Sequence, residues 1–179
     1  MYVACSCGQR HWGRHGAAGL LLTDADRSGV VLQHRSLMTH HGGTWALMGG
    51  AIETGEGPAE AALREAAEEE HLDPGSVQVR EVVVGTDHPE WRYSYVLAET
   101  TRPAVARLPD SGSWESQGAT WVDLAAVQRQ PLHPALREDW SWLVELLRRT
   151  DGPRDRSRPL RPPCSARGYG SDAGPPRHP

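Results

Sequence analysis

The sequence predicts an α+β domain, or an irregular α/β sandwich, on three observations. Strand-like and helix-like segments mix along the chain without a regular βαβ alternation. Two segments, 58–72 and 134–149, carry apolar residues near the three-to-four spacing of a helix packed on one face. A length of 179 residues with a hydrophobic fraction of 38% suffices for one domain of about 150 residues and little more.

The elements follow in order. Residues 17–23 (AAGLLLT) and 29–34 (GVVLQH) read as strands joined by a turn over 24–28. A Gly-rich loop is expected over 41–50. Segment 58–72 is helical in period, with Pro58 suited to a first helical position and Asp73-Pro74-Gly75 as the stop. Segments 77–85 and 91–99 read as strands, and 119–122 as a short one. The amphipathic helix 134–149 carries Leu136, Trp140, Leu143, Val144 and Leu147 and closes the domain.

Composition sets the boundaries. Residues 151–179 hold seven of the 14 Pro, four Gly and six Arg, too little apolar surface to offset ordering, so a disordered tail is expected. Residues 1–16 are expected to be loosely ordered, and 17–150 to form the domain. The net charge of −4 divides into +3 for the tail and −7 for residues 1–150. An acidic domain argues against a nucleic-acid partner, whose recognition needs a basic surface. The chain has no Lys, no Phe, no Asn and a single Ile, Ile52. Those residues share AT-rich codons, so a GC-rich genome explains why all 19 basic residues are Arg, and an Arg by itself carries no functional weight. No apolar run reaches the ~20 residues that cross a bilayer, and the first residues lack the pattern of a signal peptide. Three Cys, an odd number, suit a reducing, cytoplasmic setting.

The segment GAIETGEGPAEAALREAAEEEHL, residues 50–72, carries the chemistry. On a helix Glu65, Glu68 and Glu69 lie at about 0°, 300° and 40°, inside one arc of ~100°. Ala59, Ala62, Leu63 and Ala66 form a small-residue stripe beside it, suited to close packing on a sheet. Like charges at these spacings cost roughly 0.2–0.5 kcal/mol a pair. Arg64, four residues before Glu68, offsets part of that, but one Arg does not neutralise three acids. A hard divalent cation with oxygen ligands does. A solvated acidic helix face would show the same cluster, so the spacing has to decide.

The spacing is Gly50, five residues, Glu56, seven residues, then Arg64-Glu65-Ala66-x-Glu68-Glu69-x-x-Leu72. It resembles the box of the Nudix hydrolases, G-x5-E-x7-R-E-U-x-E-E-x-G-U with U apolar. Chance agreement at its six Gly or charged positions is on the order of 10⁻⁵, and about tenfold more once local Glu enrichment is counted. Trp45-Ala46-Leu47-Met48-Gly49-Gly50 is similar to the W-x-L-P-G-G run that precedes the family's box, with Met48 where Pro is common. Glu53 matches an acid often found before the Gly-Glu pair, here Gly55-Glu56. His71 stands where the box has its last Gly, a helix C-cap that favours a left-handed backbone; a stability cost is expected there, not lost catalysis.

The resemblance implies an α/β/α sandwich with a mixed sheet between helices. It also implies cleavage of a nucleoside diphosphate linked to another moiety, giving a nucleoside monophosphate and the phosphorylated remainder. Mg²⁺ is the implied cofactor, with Mn²⁺ as the alternative. By position, Glu68 and Glu69 are metal ligands with the Gly49 carbonyl as a further one. Glu65 is a ligand or the general base, oriented by Arg64, and Glu56 supports the cluster by hydrogen bonding. Glu115, six residues before Trp121-Val122, looks like an acid that some members bring in from a loop, and it competes with Glu65 for the base role.

Other signals are weaker. Cys5-x-Cys7-x3-His11-x3-His15 offers four zinc ligands, but C-x-C is tighter than usual in structural sites, and a loose N-terminal segment is the simpler expectation. Trp91, Tyr93 and Tyr95 alternate and so share one strand face, available for stacking a nucleobase or for filling a core without Phe. Arg35 and Arg92 are candidate phosphate contacts, and His40-His41 precede the Gly-rich loop. The main rival reading is a Nudix domain that senses a nucleotide without cleaving it, which the presence of Glu56, Arg64, Glu65, Glu68 and Glu69 together disfavours. A cap-removing enzyme would need a basic RNA surface that a domain at −7 does not supply. The substrate stays open among an oxidised nucleotide such as 8-oxo-dGTP, an ordinary (d)NTP, ADP-ribose and a sugar nucleotide. A homodimer stays open too.

Overall fold

The computed structural model describes residues 1–101 and 114–149. The expected disordered tail, 151–179, lies outside them. Residues 1–16 do not form the loose segment expected: β1 (Tyr2–Ala4) and β2 (Arg10–Trp12) pair antiparallel as a short ribbon. The run AAGLLLT becomes β3 (Ala17–Thr23), every residue of it buried. Such an unbroken apolar strand must be covered on both faces. Leu20 and Leu22 join one core cluster and Leu21 the other, because successive side chains leave a strand on opposite sides.

The turn to β4 (Gly29–Arg35) is held by Asp24, whose carboxylate accepts from the Ser28 N–H and Oγ, each at 2.8 Å. The expected Gly-rich loop is half strand. It contains β5 (Trp45–Ala46), paired with β4, and β6 (Met48–Ala51), paired antiparallel with β3. Gly49 explains this: at φ 147°, a Cβ there would sit 2.1 Å from the Ala18 carbonyl oxygen. Only Gly lets these two backbones approach so closely. After helix α1 (Pro58–Glu70), β7 (Gln78–Asp87) and β8 (Arg92–Glu99) pair antiparallel, and β8 runs parallel to β3 along its whole length. The short strand expected over 119–122 is longer, β9 (Ser116–Asp123), because it pairs along β4.

The sheet is therefore mixed. Helix α1 packs on one face, with Ala61, Ala62 and Ala66 against Leu20, Val31, Met48 and Val96. Helix α2 (Pro134–Arg148) covers the other, with Leu136, Trp140 and Leu143 against Leu21, Val30, Leu32 and Leu97. This is the α/β/α sandwich.

Helix α1 ends where the sequence placed its cap. His71 takes φ 57° and ψ 26°, and the Leu72 N–H turns back to the Ala66 carbonyl at 3.2 Å. Leu72 thereby enters the core under α1. A non-Gly residue pays a steric penalty in this conformation, so His71→Gly is expected to raise unfolding stability by about 1 kcal/mol in urea denaturation. A destabilised variant would show that the imidazole contributes more than the backbone loses.

Candidate active site on helix α1

Helix geometry alone puts the acids of α1 on one side, and the sheet then determines what each of them meets. Arg64 is the hub. Its guanidinium donates to both oxygens of Glu56, at 2.9 and 3.1 Å, and to the Ala51 carbonyl of β6 at 3.0 Å. Its remaining terminal nitrogen lies 3.1 Å from Glu65 and 3.1 Å from Glu68. Two parallel N–H···O bonds fix the plane of the guanidinium as well as its position. Glu56 also accepts from the Glu53 N–H at 2.9 Å, which ties the loop before α1 to the same hub. The Arg64 bonds hold the Glu56 carboxyl below the usual carboxylate range.

Glu65 lies flat against the backbone of β6. A Cβ on Gly50 would fall 2.4 Å from a Glu65 carboxyl oxygen, so this Gly makes room for the acid. Burial pushes the Glu65 carboxyl up, against the pull of Arg64. Glu69 is pushed up further, to about 8, first by burial and also by the Glu115 and Glu65 carboxyls beside it; a bond from Gln33 works the other way. Glu68 stays at the surface, with 60% of its side chain exposed. The structure thus brings Glu56, Arg64, Glu65, Glu68, Glu69 and Glu115 into one cluster. Glu115 arrives from the segment before β9, where the Ser36 N–H holds its carbonyl at 2.9 Å.

Sequence reasoning missed the support under this cluster. Gln33, buried on β4, donates through Nε2 to Glu69 at 2.6 Å and to Glu70 at 3.0 Å. Glu70 is itself buried and accepts from the Ser116 hydroxyl of β9. Gln33 reads as one more residue of a buried strand, and Glu70 as one more acid in a run. Only the pairing of β4 with β9 under α1 gives either a partner.

The aromatic stripe lies elsewhere. Tyr93, Tyr95 and Leu97 of β8 face α2, on the side of the sheet opposite α1. The Tyr93 hydroxyl sits over Gly19, and Tyr95 donates to Asp139 of α2 at 2.6 Å. Trp91 stacks on His11 with centroids 4.3 Å apart and donates to the Trp12 carbonyl at 2.9 Å. Arg35 donates to the His40 carbonyl at 3.2 and 3.3 Å, pinning its own loop. Arg92 pairs with Asp87 at 2.8 Å.

Near Arg35, His41 meets His133 edge-on with centroids 4.7 Å apart. Burial, together with His41, Arg35 and His40, lowers His133 from 6.5 to about 4. Above pH 6.5 neither folded nor unfolded chain protonates it, and stability does not depend on it. Between about 6.5 and 4 the unfolded chain takes up the proton and the folded chain does not, so stability falls as pH falls. The loss approaches about 3 kcal/mol at the bottom of that window. His133→Asn keeps an acceptor at the N-terminus of α2, where His133 now takes the Ala135 N–H at 3.3 Å, and should flatten this slope. Urea melts between pH 4 and 7 measure it; an unchanged slope would assign the loss to other groups.

An α/β/α sandwich whose first helix carries an oxygen-only acidic cluster around one Arg offers ligands to a hard divalent cation, as metal-assisted hydrolases of phosphate anhydrides do. Within that class the chain belongs to the Nudix family: the NUDIX domain model matches residues 13–143. A protein of Mycobacterium tuberculosis described as "Putative 8-oxo-dGTP diphosphatase 3" is 39% identical over 150 residues, covering 79% of this chain and 67% of that one. A nucleoside triphosphate pyrophosphatase/Nudix hydrolase fusion protein of Bifidobacterium longum is 40% identical over 147 residues. That match covers 78% of this chain and 30% of the fusion protein, so the chain spans under a third of that relative. Among solved structures, the Nudix hydrolase RenU of M. smegmatis superposes with a TM-score of 0.71 at 36% identity. It covers 82% of this chain and 94% of its own. Among the described residues no helix is long and apolar enough to cross a membrane.

Proposed function

We propose that this Nudix hydrolase cleaves the diphosphate of a nucleoside diphosphate derivative with Mg²⁺, Mn²⁺ being the alternative, and releases a nucleoside monophosphate. The observation that carries this reading is the convergence of the carboxyls of Glu65, Glu69 and Glu115 at one place beside α1. Two of the three are pushed toward protonation, an arrangement that a divalent cation with oxygen ligands relieves. The donor set fits that ion: Glu65, Glu68 and Glu69 would hold it, with the Gly49 carbonyl as a further ligand. When bound, such an ion neutralises phosphate oxygens and lowers the pKa of a coordinated water.

The chain's own residues supply the rest. Arg64 orients Glu65 and balances part of its charge, and Glu56 fixes Arg64 in the plane this requires. Gln33 directs one oxygen of Glu69 inward and leaves the other for the cluster. Glu65 and Glu115 both flank Glu69, so either takes the proton of the attacking water. The pH–rate profiles of Glu65→Gln and Glu115→Gln separate them, because the base variant loses the acidic limb. Arg35, at the loop end of β4, remains the proposed phosphate contact, whereas Trp91 is engaged by His11 and Tyr93 faces α2, on the sheet side away from the acids.

The names of the mycobacterial relatives make 8-oxo-dGTP the first substrate to test. The panel adds dGTP, ADP-ribose and a sugar nucleotide, with Mg²⁺ present and products resolved by chromatography. Monophosphate release by the wild type, absent in Glu69→Gln, supports the reading. Tight binding without cleavage would instead favour a nucleotide-sensing domain.

A further inference from the structure

The N-terminal ribbon holds a second cluster of a different chemistry. Cys5-Ser6-Cys7-Gly8 forms a tight knuckle: the Gly8 N–H donates to the Cys5 carbonyl at 3.0 Å, and the Cys5 N–H donates to the Gln9 carbonyl at 2.9 Å. Gly8 takes φ 84°, which lets the chain turn back at once into β2. His11 follows on β2. The fourth member comes from far along the chain. A turn after β7, closed by the His88 N–H to the Trp91 carbonyl at 2.9 Å, sends the His88 ring into the knuckle.

The four side chains converge on a common point. Cys5 Sγ is 3.3 Å from His88 Nδ1, Cys7 Sγ is 3.2 Å from His11 Nε2, and the two imidazole nitrogens are 3.2 Å apart. All four donor atoms lie within 4.8 Å of one another. With Zn–S near 2.3 Å and Zn–N near 2.0–2.1 Å, a tetrahedral site has donor–donor edges of about 3.3–3.8 Å. Two imidazoles facing each other nitrogen to nitrogen, each against a sulfur, fit lone pairs aimed at one cation. The donor set is soft to borderline, which selects zinc over the hard ion proposed for α1.

We propose that Cys5, Cys7, His11 and His88 bind a structural Zn²⁺ that fastens the β1–β2 ribbon to the β7–β8 turn. Four protein ligands make a closed site, structural and not catalytic in kind. The ribbon has reason to need it, since two strands of three residues are marginal by themselves in water. Outer contacts hold the ligands in place. His11 stacks on Trp91, and Glu90 accepts from the Ser6 N–H at 3.1 Å and the Ser6 hydroxyl at 3.0 Å. The Cys5 thiol also points at Glu90, 3.4 Å away. His15, the fourth ligand suggested by the sequence spacing, lies outside the cluster and bonds to Thr54 at 3.1 Å.

The test is metal analysis of the full chain purified with reductant and without chelator. About one zinc per chain is expected, bound before any addition. The apo chain titrated with Co²⁺ should show thiolate-to-metal charge transfer and tetrahedral d–d bands, displaced by Zn²⁺. His88→Gln and the double variant Cys5→Ser/Cys7→Ser should lower zinc content by about tenfold or more. His15→Gln and Glu69→Gln should keep it. A wild type that retains no zinc and gives no tetrahedral Co²⁺ spectrum overturns the proposal, and this reading needs no variant to fold. So does His88→Gln with full zinc content, or a Cys5–Cys7 disulfide found under reducing conditions.

Discussion

Glu69→Gln is expected to lower kcat by about 10³-fold or more while the protein stays folded, and to be at least as stable as wild type above neutral pH. The first half follows from removing one charged ligand from a site whose work is charge neutralisation, worth several kcal/mol in the transition state. The second half follows from the surroundings. The amide keeps an oxygen to accept from Gln33 Nε2, so the 2.6 Å contact under the site survives. Glu69 is raised from 4.5 to about 8 by burial and by its acidic neighbours. In the metal-free wild type the unfolded chain therefore ionises this group well before the folded chain does. The contribution of Glu69 to stability is fully present below pH 4.5 and is lost as pH rises toward 8, beyond which it is constant. The variant lacks that decline, an effect of a few kcal/mol. Divalent cation should restore stability to the wild type and much less to the variant, since only a ligand bound to the folded state stabilises it. Kinetics and thermal melts with and without Mg²⁺ read all three effects. Turnover near the wild-type rate would remove Glu69 from the site.

Arg64→Ala is the second large effect, and unlike the first it should damage both activity and fold. The side chains of Arg64, Glu56 and Glu65 are 25%, 15% and 17% exposed, so removing the cation leaves two largely buried carboxylates uncompensated. Breaking a partly buried network from one side costs about 2–4 kcal/mol. The Ala51 carbonyl of β6 also loses its donor, which loosens the strand against which Glu65 rests. A loss of about 10²–10³-fold in kcat is expected from the misplaced Glu65. Arg64→Lys should recover little, because an ammonium does not reproduce two parallel bonds to Glu56 together with contacts to Glu65 and Glu68. Urea denaturation and steady-state kinetics of both variants decide this. A lysine variant with full activity would reduce Arg64 to a simple counter-charge.

Much of this was legible locally. The bounds of β3 and the start of α1 fall where the sequence puts them, because an unbroken apolar run and a Pro at the first helical position are local signals. The left-handed His71 was legible for the same reason. The segment 48–51 was not, since two glycines read as loop until β3 is there to receive them. The shared face of Trp91, Tyr93 and Tyr95 was legible as period two, but its direction was not. It turns toward α2, and Trp91 is taken up by the N-terminal ribbon.

The sequence by itself determined the family and the acidic arc, because α-helical spacing fixes which residues of one helix share a side. Tertiary structure decided everything that needs a second segment. It brought Glu115 to Glu69, set Gln33 and Ser116 beneath the α1 acids, and replaced His15 by His88 in the Cys5–Cys7–His11 cluster. His11 and His88 stand 77 positions apart. Their meeting depends on which strands pair and how loops close, and a spacing rule built on neighbouring residues carries no information about that.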